Sequence, residues 1–307
     1  MAVRDLGFVA VARNTTANAN YVRRTTDGAT WSVVTEGTAT DWRSVCYGNG
    51  LFVAISRSGT LSGGKIHTSP DGVTWTRVTV PDKAWNSVCY GGGQFVAVSS
   101  ESVDVLTSAD GATWTSRTAS NAMHAVCYGN GLYVGVGIFS SGGKRVCISA
   151  DGITWSNQSS AIQLWLSVCY GNGLFVAGGN SGIMTSPDGV TWTSQTPSSS
   201  GGAWWGVCWD DTLGLFVAVG NAGSTDRIMS SPDGVTWTGH GNATVGWESV
   251  ASNGERYVAV GAGGAYAYST DGTTWTTGTS GAEFWRGITH GYIDITGGIY
   301  VDGAVHF

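Results

Sequence analysis

One seven-residue turn, Ser/Thr-x-Asp-Gly-x-Thr-Trp, recurs seven times along this 307-residue chain. Its aspartates are Asp27, Asp71, Asp110, Asp151, Asp188, Asp233 and Asp271, so the steps between copies are 44, 39, 41, 37, 45 and 38 residues. A unit of about 40 residues repeated at that interval cannot bury its apolar face alone. It needs its neighbours, so the fold must be an array or a ring of such units. The turn itself connects strands. Its Asp accepts hydrogen bonds from the amides that follow, and its Gly takes the left-handed backbone the reversal needs.

One whole unit runs from Trp42 to Val80. Trp42-Arg43-Ser44-Val45-Cys46-Tyr47 reads as a strand, Gly48-Asn49-Gly50 as a hairpin turn, and Leu51-Phe52-Val53-Ala54-Ile55 as a second, more apolar strand. A glycine-rich connection leads to Lys65-Ile66-His67-Thr68, the Asp71-Gly72 turn follows, and Thr74 to Val78 makes a fourth strand. Helical periodicity is absent. Four short antiparallel strands per ~40 residues describe a propeller blade. The seven turns predict an all-β, seven-bladed β-propeller of four-stranded antiparallel blades.

The ends complete each other. Leu6 to Ala12 matches the second strand of a unit, about Asn20 to Thr25 the third and Thr30 to Val34 the fourth. Trp285 to His290 matches a first strand. The reading is a propeller over 1–290, its ring closed by one blade shared between 1–40 and 284–290, which removes an open sheet edge. Residues 291–307 are left as a C-terminal tail, an extra strand or a docking segment, with Gly298 to Val301 resembling a second strand but expected outside the ring.

Composition limits the function. Only 12% of residues are charged, the net charge is −6 and the 15 Lys and Arg form no cluster, which argues against nucleic acid. No apolar run approaches ~18 residues, so no membrane insertion is expected. The N-terminal residues lack a secretory signal's apolar core. Five of six cysteines, Cys46, Cys89, Cys127, Cys169 and Cys208, hold one repeat position in apolar runs and read as small buried hydrophobes, with Cys147 off the pattern. No Cys-x-x-Cys or His cluster is present, so no metal and no cofactor are expected.

The recurrent turn resembles the Asp-box, or bacterial neuraminidase repeat, over nearly the whole chain. The resemblance implies a β-propeller in which the seven aspartates are structural, between strands three and four and away from the ligand site. Phrases such as Tyr170-Gly171-Asn172-Gly173-Leu174-Phe175-Val176-Ala177, with the low charge, are similar to the Asp-box propellers of bacteriophage tail and virion-associated proteins. That likeness implies a virion location, synthesis in the host cytoplasm, and a surface glycan or other virion proteins as partners.

A sialidase would need, as the resemblance implies, three arginines clamping a carboxylate, a Tyr-Glu nucleophile pair and an acidic proton donor. Tyr21-Val22-Arg23-Arg24-Thr25 lacks the family's Arg-Ile-Pro, and nothing selects a triad among Arg23, Arg43, Arg145, Arg227 and Arg286. Paired acids for glycoside hydrolysis would have to come from Asp41, Asp82, Asp210, Asp211, Glu248 and Glu283. The chain is therefore read as non-enzymatic, with no catalytic residue assigned. A sialidase-like exo-glycosidase is one alternative. A cytosolic assembly scaffold, similar to Asp-box propellers that help build photosystems, is another.

The repeats vary most where strand four joins strand one and strand two joins strand three, and both connections share one face. That face should also carry Trp42, Trp85, Trp165, Trp204, Trp247 and Trp285 near the axis, with Met123 in the seventh place; because six repeats keep them in register, they read first as packing between blades and second as ligand-facing surface. The next position differs in nearly every unit: Arg43, Asn86, His124, Leu166, Trp205, Glu248 and Arg286. The candidate ligand-binding residues are Arg43, Asn86, His124, Trp205, Glu248 and Arg286. Aromatic surface beside mixed hydrogen-bonding groups suits a sugar ring.

Overall fold

A computed structural model describes residues 3–13, 22–34, 40–59, 65–137, 145–160, 164–198, 202–221, 226–241, 245–281 and 283–294. The chain forms seven four-stranded antiparallel sheets. In a representative blade, Trp85–Gly91, Gln94–Ser99, Asp104–Ser108 and Thr115–Thr118 pair in chain order. The first strands are Thr40–Gly48, Trp85–Gly91, Ala125–Gly129, Trp165–Gly171, Trp204–Asp210, Trp247–Ser252 and Phe284–Asp294. Each lies against the next, and Phe284–Asp294 returns to Thr40–Gly48, so these strands ring the axis.

Closure is made by the two ends. Phe284–Asp294 pairs with Val3–Arg13, which pairs with Val22–Thr25 and then Ser32–Val34. The closing pair is longer than the sequence pattern showed. It runs from Arg13 opposite Phe284 to Val3 opposite Asp294. The boundary at residues 290 and 291 therefore falls inside a strand: Gly291 to Asp294 pair with Val3 to Gly7, which reach beyond the match at Leu6. The rest of the tail, including Gly298 to Val301, lies outside the described residues.

The core lies between blades. Cys46, Val53, Ile55 and Ile66 of one blade pack with Trp85, Phe95, Ala97 and Leu106 of the next. The six first-strand tryptophans pack between blades, as their recurrence in register predicts: Trp42, Trp165, Trp247 and Trp285 are 0% exposed and Trp85 and Trp204 1%. Strand alternation turns them into the blade interfaces. Burying an aromatic side chain of 150–250 Å² contributes about 4–6 kcal/mol before entropy is charged against it. Met123 takes the seventh place, and Gly135 stands where other blades have Ala because a Cβ there would strike the Met123 sulfur. The six cysteines are buried and free, and burial pushes the Cys46, Cys89, Cys127, Cys169 and Cys208 thiols well above their ordinary range.

The recurrent turns share one hydrogen-bond pattern centred on the aspartate, and in every copy but the first, where Trp31 Nε1 has no partner, the tryptophan joins it. In the second copy Ser69 Oγ donates to Asp71 Oδ1 at 3.0 Å, and the Val73 and Thr74 amides donate to the same oxygen at 2.8 Å. The Gly72 amide donates to Ser69 Oγ at 2.8 Å, and Trp75 Nε1 donates to the Gly72 carbonyl at 3.3 Å. Gly72 has φ of 72° and rests against Val9 of the preceding blade. The turn thus satisfies its own amides and wedges against its neighbour. A second lock lies across the blade. Gly48, Gly91, Gly129 and Gly171 each leave room for the ring that follows, Tyr90, Tyr128, Tyr170 and Trp209.

Gly129→Ala drives a Cβ into the Tyr170 ring and should cost about 1–3 kcal/mol in denaturant unfolding. Gly131→Asn, at φ of 75° with open space around it, should stay within about 0.5 kcal/mol of wild type. Amides of Thr191 and Val190 hold the Asp188 carboxyl down to about 2. A carboxylate lowered on folding stabilises above its unfolded value of about 3.9, and that stability is lost as pH falls through the folded value. The stability gap between wild type and Asp188→Asn should be constant above about pH 5 and should close as pH falls toward 2.

Candidate functional site

The first strands enter from the variable face, and their second positions converge on the axis. Arg43, Asn86, His124, Leu166, Trp205, Glu248 and Arg286 all line one axial cavity of about 180 Å³. Below them lies an aliphatic collar of Val45, Val88, Val126, Val168, Val207, Val250 and Ile288, each 5–8% exposed. Tyr47, Tyr90 and Tyr128 line the far end. All six candidate ligand-binding residues are thus brought into one funnel. Leu166 completes their ring.

The blades approach closely here, and the position after the ring explains how. Ser44 Oγ accepts from the Val88 amide at 3.3 Å, Ser87 from Val126 at 3.2 Å and Ser249 from Ile288 at 3.3 Å. A serine of one blade thus fills the free inner edge of the next. Gly206 and Gly287 allow closer passage, since a Cβ on either would lie 2.9 Å from Ser249 Cα or 3.1 Å from Ser44 Cα. Sequence reading missed these serines, although their recurrence two residues after the tryptophan was a visible signal.

The ring has two halves. One is neutral. Asn86 Nδ2 donates to the His124 carbonyl at 2.6 Å, and Ser100 Oγ donates to Asn86 Oδ1 at 3.2 Å. His124 Nδ1 lies 2.9 Å from the Leu166 carbonyl, which can only accept, so the proton sits on Nδ1 and Nε2 carries a lone pair. Trp205 reaches past Leu166 to meet the His124 ring edge-on at 5.8 Å between centroids. Burial pulls His124 down to about 4, and Arg43, Arg57 and Arg286 push the same way, so it is neutral at pH 7.

The other half is charged. Arg286 Nη1 donates to Glu248 Oε2 at 2.7 Å, and Arg43 Nη2 donates to Asp41 Oδ2 at 3.0 Å. Burial pushes the Glu248 carboxyl up, and Arg286 pulls it part of the way back. Burial also pulls the Arg43 guanidinium down; Asp41 supports its charge and Arg286 opposes it. Three donors of the ring, Arg43 Nε, Arg286 Nε and Trp205 Nε1, are buried without a hydrogen-bond partner.

The acids considered for catalysis have partners of their own. Asp82 pairs with Lys65 at 2.6 Å and Glu283 with Arg23 at 2.5 Å. Asp210 accepts from the Thr212, Leu213 and Gly254 amides, and Asp211 from Trp209 Nε1. Of the five arginines weighed for a clamp, the cavity is lined by Arg43 and Arg286, each engaged with a carboxylate. Among the described residues no group of three or more His, Cys, Asp or Glu is placed to hold a metal. No described helix is long and apolar enough to cross a membrane.

No family model and no curated protein matches the sequence. Solved structures do. Virginiamycin B lyase from Staphylococcus aureus is similar with a TM-score of 0.67 and 10% identity, over 78% of this chain and 85% of that one. YCF48 bound to D1 peptide gives 0.59 and 15%, over 84% and 88%. A chain of the nidogen/laminin complex gives 0.56 and 11%, over 94% and 98%. At such identities the likeness is one of fold. These three propellers include an enzyme and two proteins captured with partners, and none is a phage protein.

His124 yields a signed prediction. A base whose value is lowered on folding costs stability as pH falls from its unfolded value, about 6.5, toward its folded one. Between pH 7 and pH 5 wild type should lose about 2 kcal/mol that His124→Gln retains, measured by urea unfolding at each pH. Imidazole nitrogen shifts should show the Nδ1–H tautomer down to about pH 5.

Proposed function

We propose that this chain is a non-enzymatic binding propeller of Asp-box type, whose variable face and axial funnel receive a surface glycan, as in a virion-associated receptor-binding protein. One observation carries the reading. Around the ring, the residue before the funnel position is Trp in six blades and the residue two after it is Val in six. The funnel position itself takes six different identities in seven blades. A position needed only for the fold would repeat as its neighbours do.

The funnel also has chemistry suited to a sugar. Trp205, Leu166 and His124 offer an apolar and aromatic wall, while Arg43, Arg286, Glu248 and Asn86 offer donors and acceptors opposite. A cavity of about 180 Å³ lies below the 300–1,000 Å³ typical of small-molecule pockets, which favours one sugar unit over a larger ligand. The partnered acids argue against the sialidase-like alternative, since both arginines of the funnel already engage carboxylates of this chain.

A protein partner, such as another virion protein, is the second reading. The similarity in fold to YCF48 with its peptide and to the nidogen/laminin complex favours it, as it would the scaffold alternative.

A glycan array with wild type and a Trp205→Ala, His124→Ala double variant tests the proposal. Wild type should bind a discrete set of glycans, and the double variant should lose about tenfold or more in affinity while remaining folded. A folded wild type that binds no glycan but captures a virion protein would replace the glycan reading with the second one. Turnover of a fluorogenic sialoside that Glu248→Gln abolishes would overturn the non-enzymatic assignment.

A further inference from the structure

The funnel changes character below its mouth. Along a first strand, side chains alternate between the axis and the blade interfaces. Arg43, Val45 and Tyr47 face the axis in turn, while Ser44 and Cys46 engage the next blade. The result is a polar ring above an aliphatic collar of six valines and Ile288. The collar side chains carry no donor or acceptor, and the Val88, Val126 and Ile288 amides are already given to Ser44, Ser87 and Ser249. The ring above is also largely committed. Asn86 is bonded at both ends of its amide, Arg43 is paired with Asp41 and Arg286 with Glu248. What stays open to the cavity at depth is carbon: each collar residue keeps 5–8% of its surface exposed.

A sugar entering such a funnel is selected by the group it leads with. An ordinary hexose leads with a hydroxymethyl, and a hydroxyl held at the collar gives up its water without gaining a partner. A 6-deoxyhexose leads with a methyl, which is better placed against carbon than in water. An acetamido group also ends in a methyl, but its N–H and C=O follow directly behind, at the level where the ring is already committed. Resting on the glycan reading above, we infer that the funnel's ligand is a 6-deoxyhexose unit, with its C6 methyl against the valine collar and its ring at the level of Trp205 and Leu166.

The test is a titration of the full chain with two matched pairs, L-fucose with L-galactose and L-rhamnose with L-mannose, followed by calorimetry or NMR. Each pair differs only in the 6-hydroxyl, so its affinity ratio needs no variant protein. The deoxy sugar of one pair or both should bind about tenfold tighter than its partner. Val168→Thr adds a hydroxyl to the collar with little change of shape, and in folded protein it should cut that ratio to about threefold or less. Equal affinities within both pairs, or a ratio unchanged in folded Val168→Thr, would overturn the 6-deoxyhexose assignment and leave the glycan reading standing. Binding of none of the four sugars would overturn it as well, and only a glycan array without a single hit would take the glycan reading with it.

Discussion

Everything in this molecule depends on sheets packing face to face around an axis. A single four-stranded blade has two apolar faces and no way to cover either. The ring solves this by making every interface a core, wedged by a buried tryptophan or by Met123. Because the same wedge recurs, the strands ahead of it stay in register. The turn at the opposite end of each blade then needs only to satisfy its own amides and press a glycine against the preceding blade. The closing pair between Phe284–Asp294 and Val3–Arg13 extends this logic to the chain ends, where an open edge would otherwise leave two faces bare.

A fold held together between blades leaves the axis free to vary. The tryptophan, the serine and the valine collar belong to the packing, and they repeat. The residue between tryptophan and serine is the one inner-strand position that faces the cavity mouth without wedging a blade, so Arg, Asn, His, Leu, Trp and Glu can each stand there. Geometry makes the difference: a side chain that looks into the funnel shares one cavity with its counterparts from the other blades, whereas one turned sideways is packed into a blade interface.

Much of this was legible because it repeats. The Asp-Gly turns, the four-strand unit and the shared closing blade follow from spacing and local chemistry, and the funnel ring follows from register once the first strand is placed. The role of the tryptophans was legible too, since a residue kept in register by six repeats is one that packing between blades requires. The pairing of Arg286 with Glu248, 38 residues apart, was not, nor that of Arg43 with Asp41, and these turn two apparent clamp arginines into partners of the chain's own acids. The pairing of Gly291 to Asp294 with Val3 to Gly7 lay beyond the repeat pattern, because only the closing blade has it. Leu166 was not among the binding candidates, yet it supplies the carbonyl that fixes the His124 tautomer.

The central claim is that ligands enter at the axial ring and not at the turns. Fluorine NMR of protein labelled with 5-fluorotryptophan tests it directly, because the 15 tryptophans divide by role. The Trp205 signal, assigned with Trp205→Phe, reports the funnel; Trp42, Trp85, Trp165, Trp204, Trp247 and Trp285 report the blade interfaces; Trp75 and its counterparts report the opposite face. On titration with a glycan that wild type binds on the array, the Trp205 signal should move in a saturable way while the turn tryptophans stay in place. A saturable shift among the turn tryptophans with Trp205 unmoved, or no shift at all, would contradict the account.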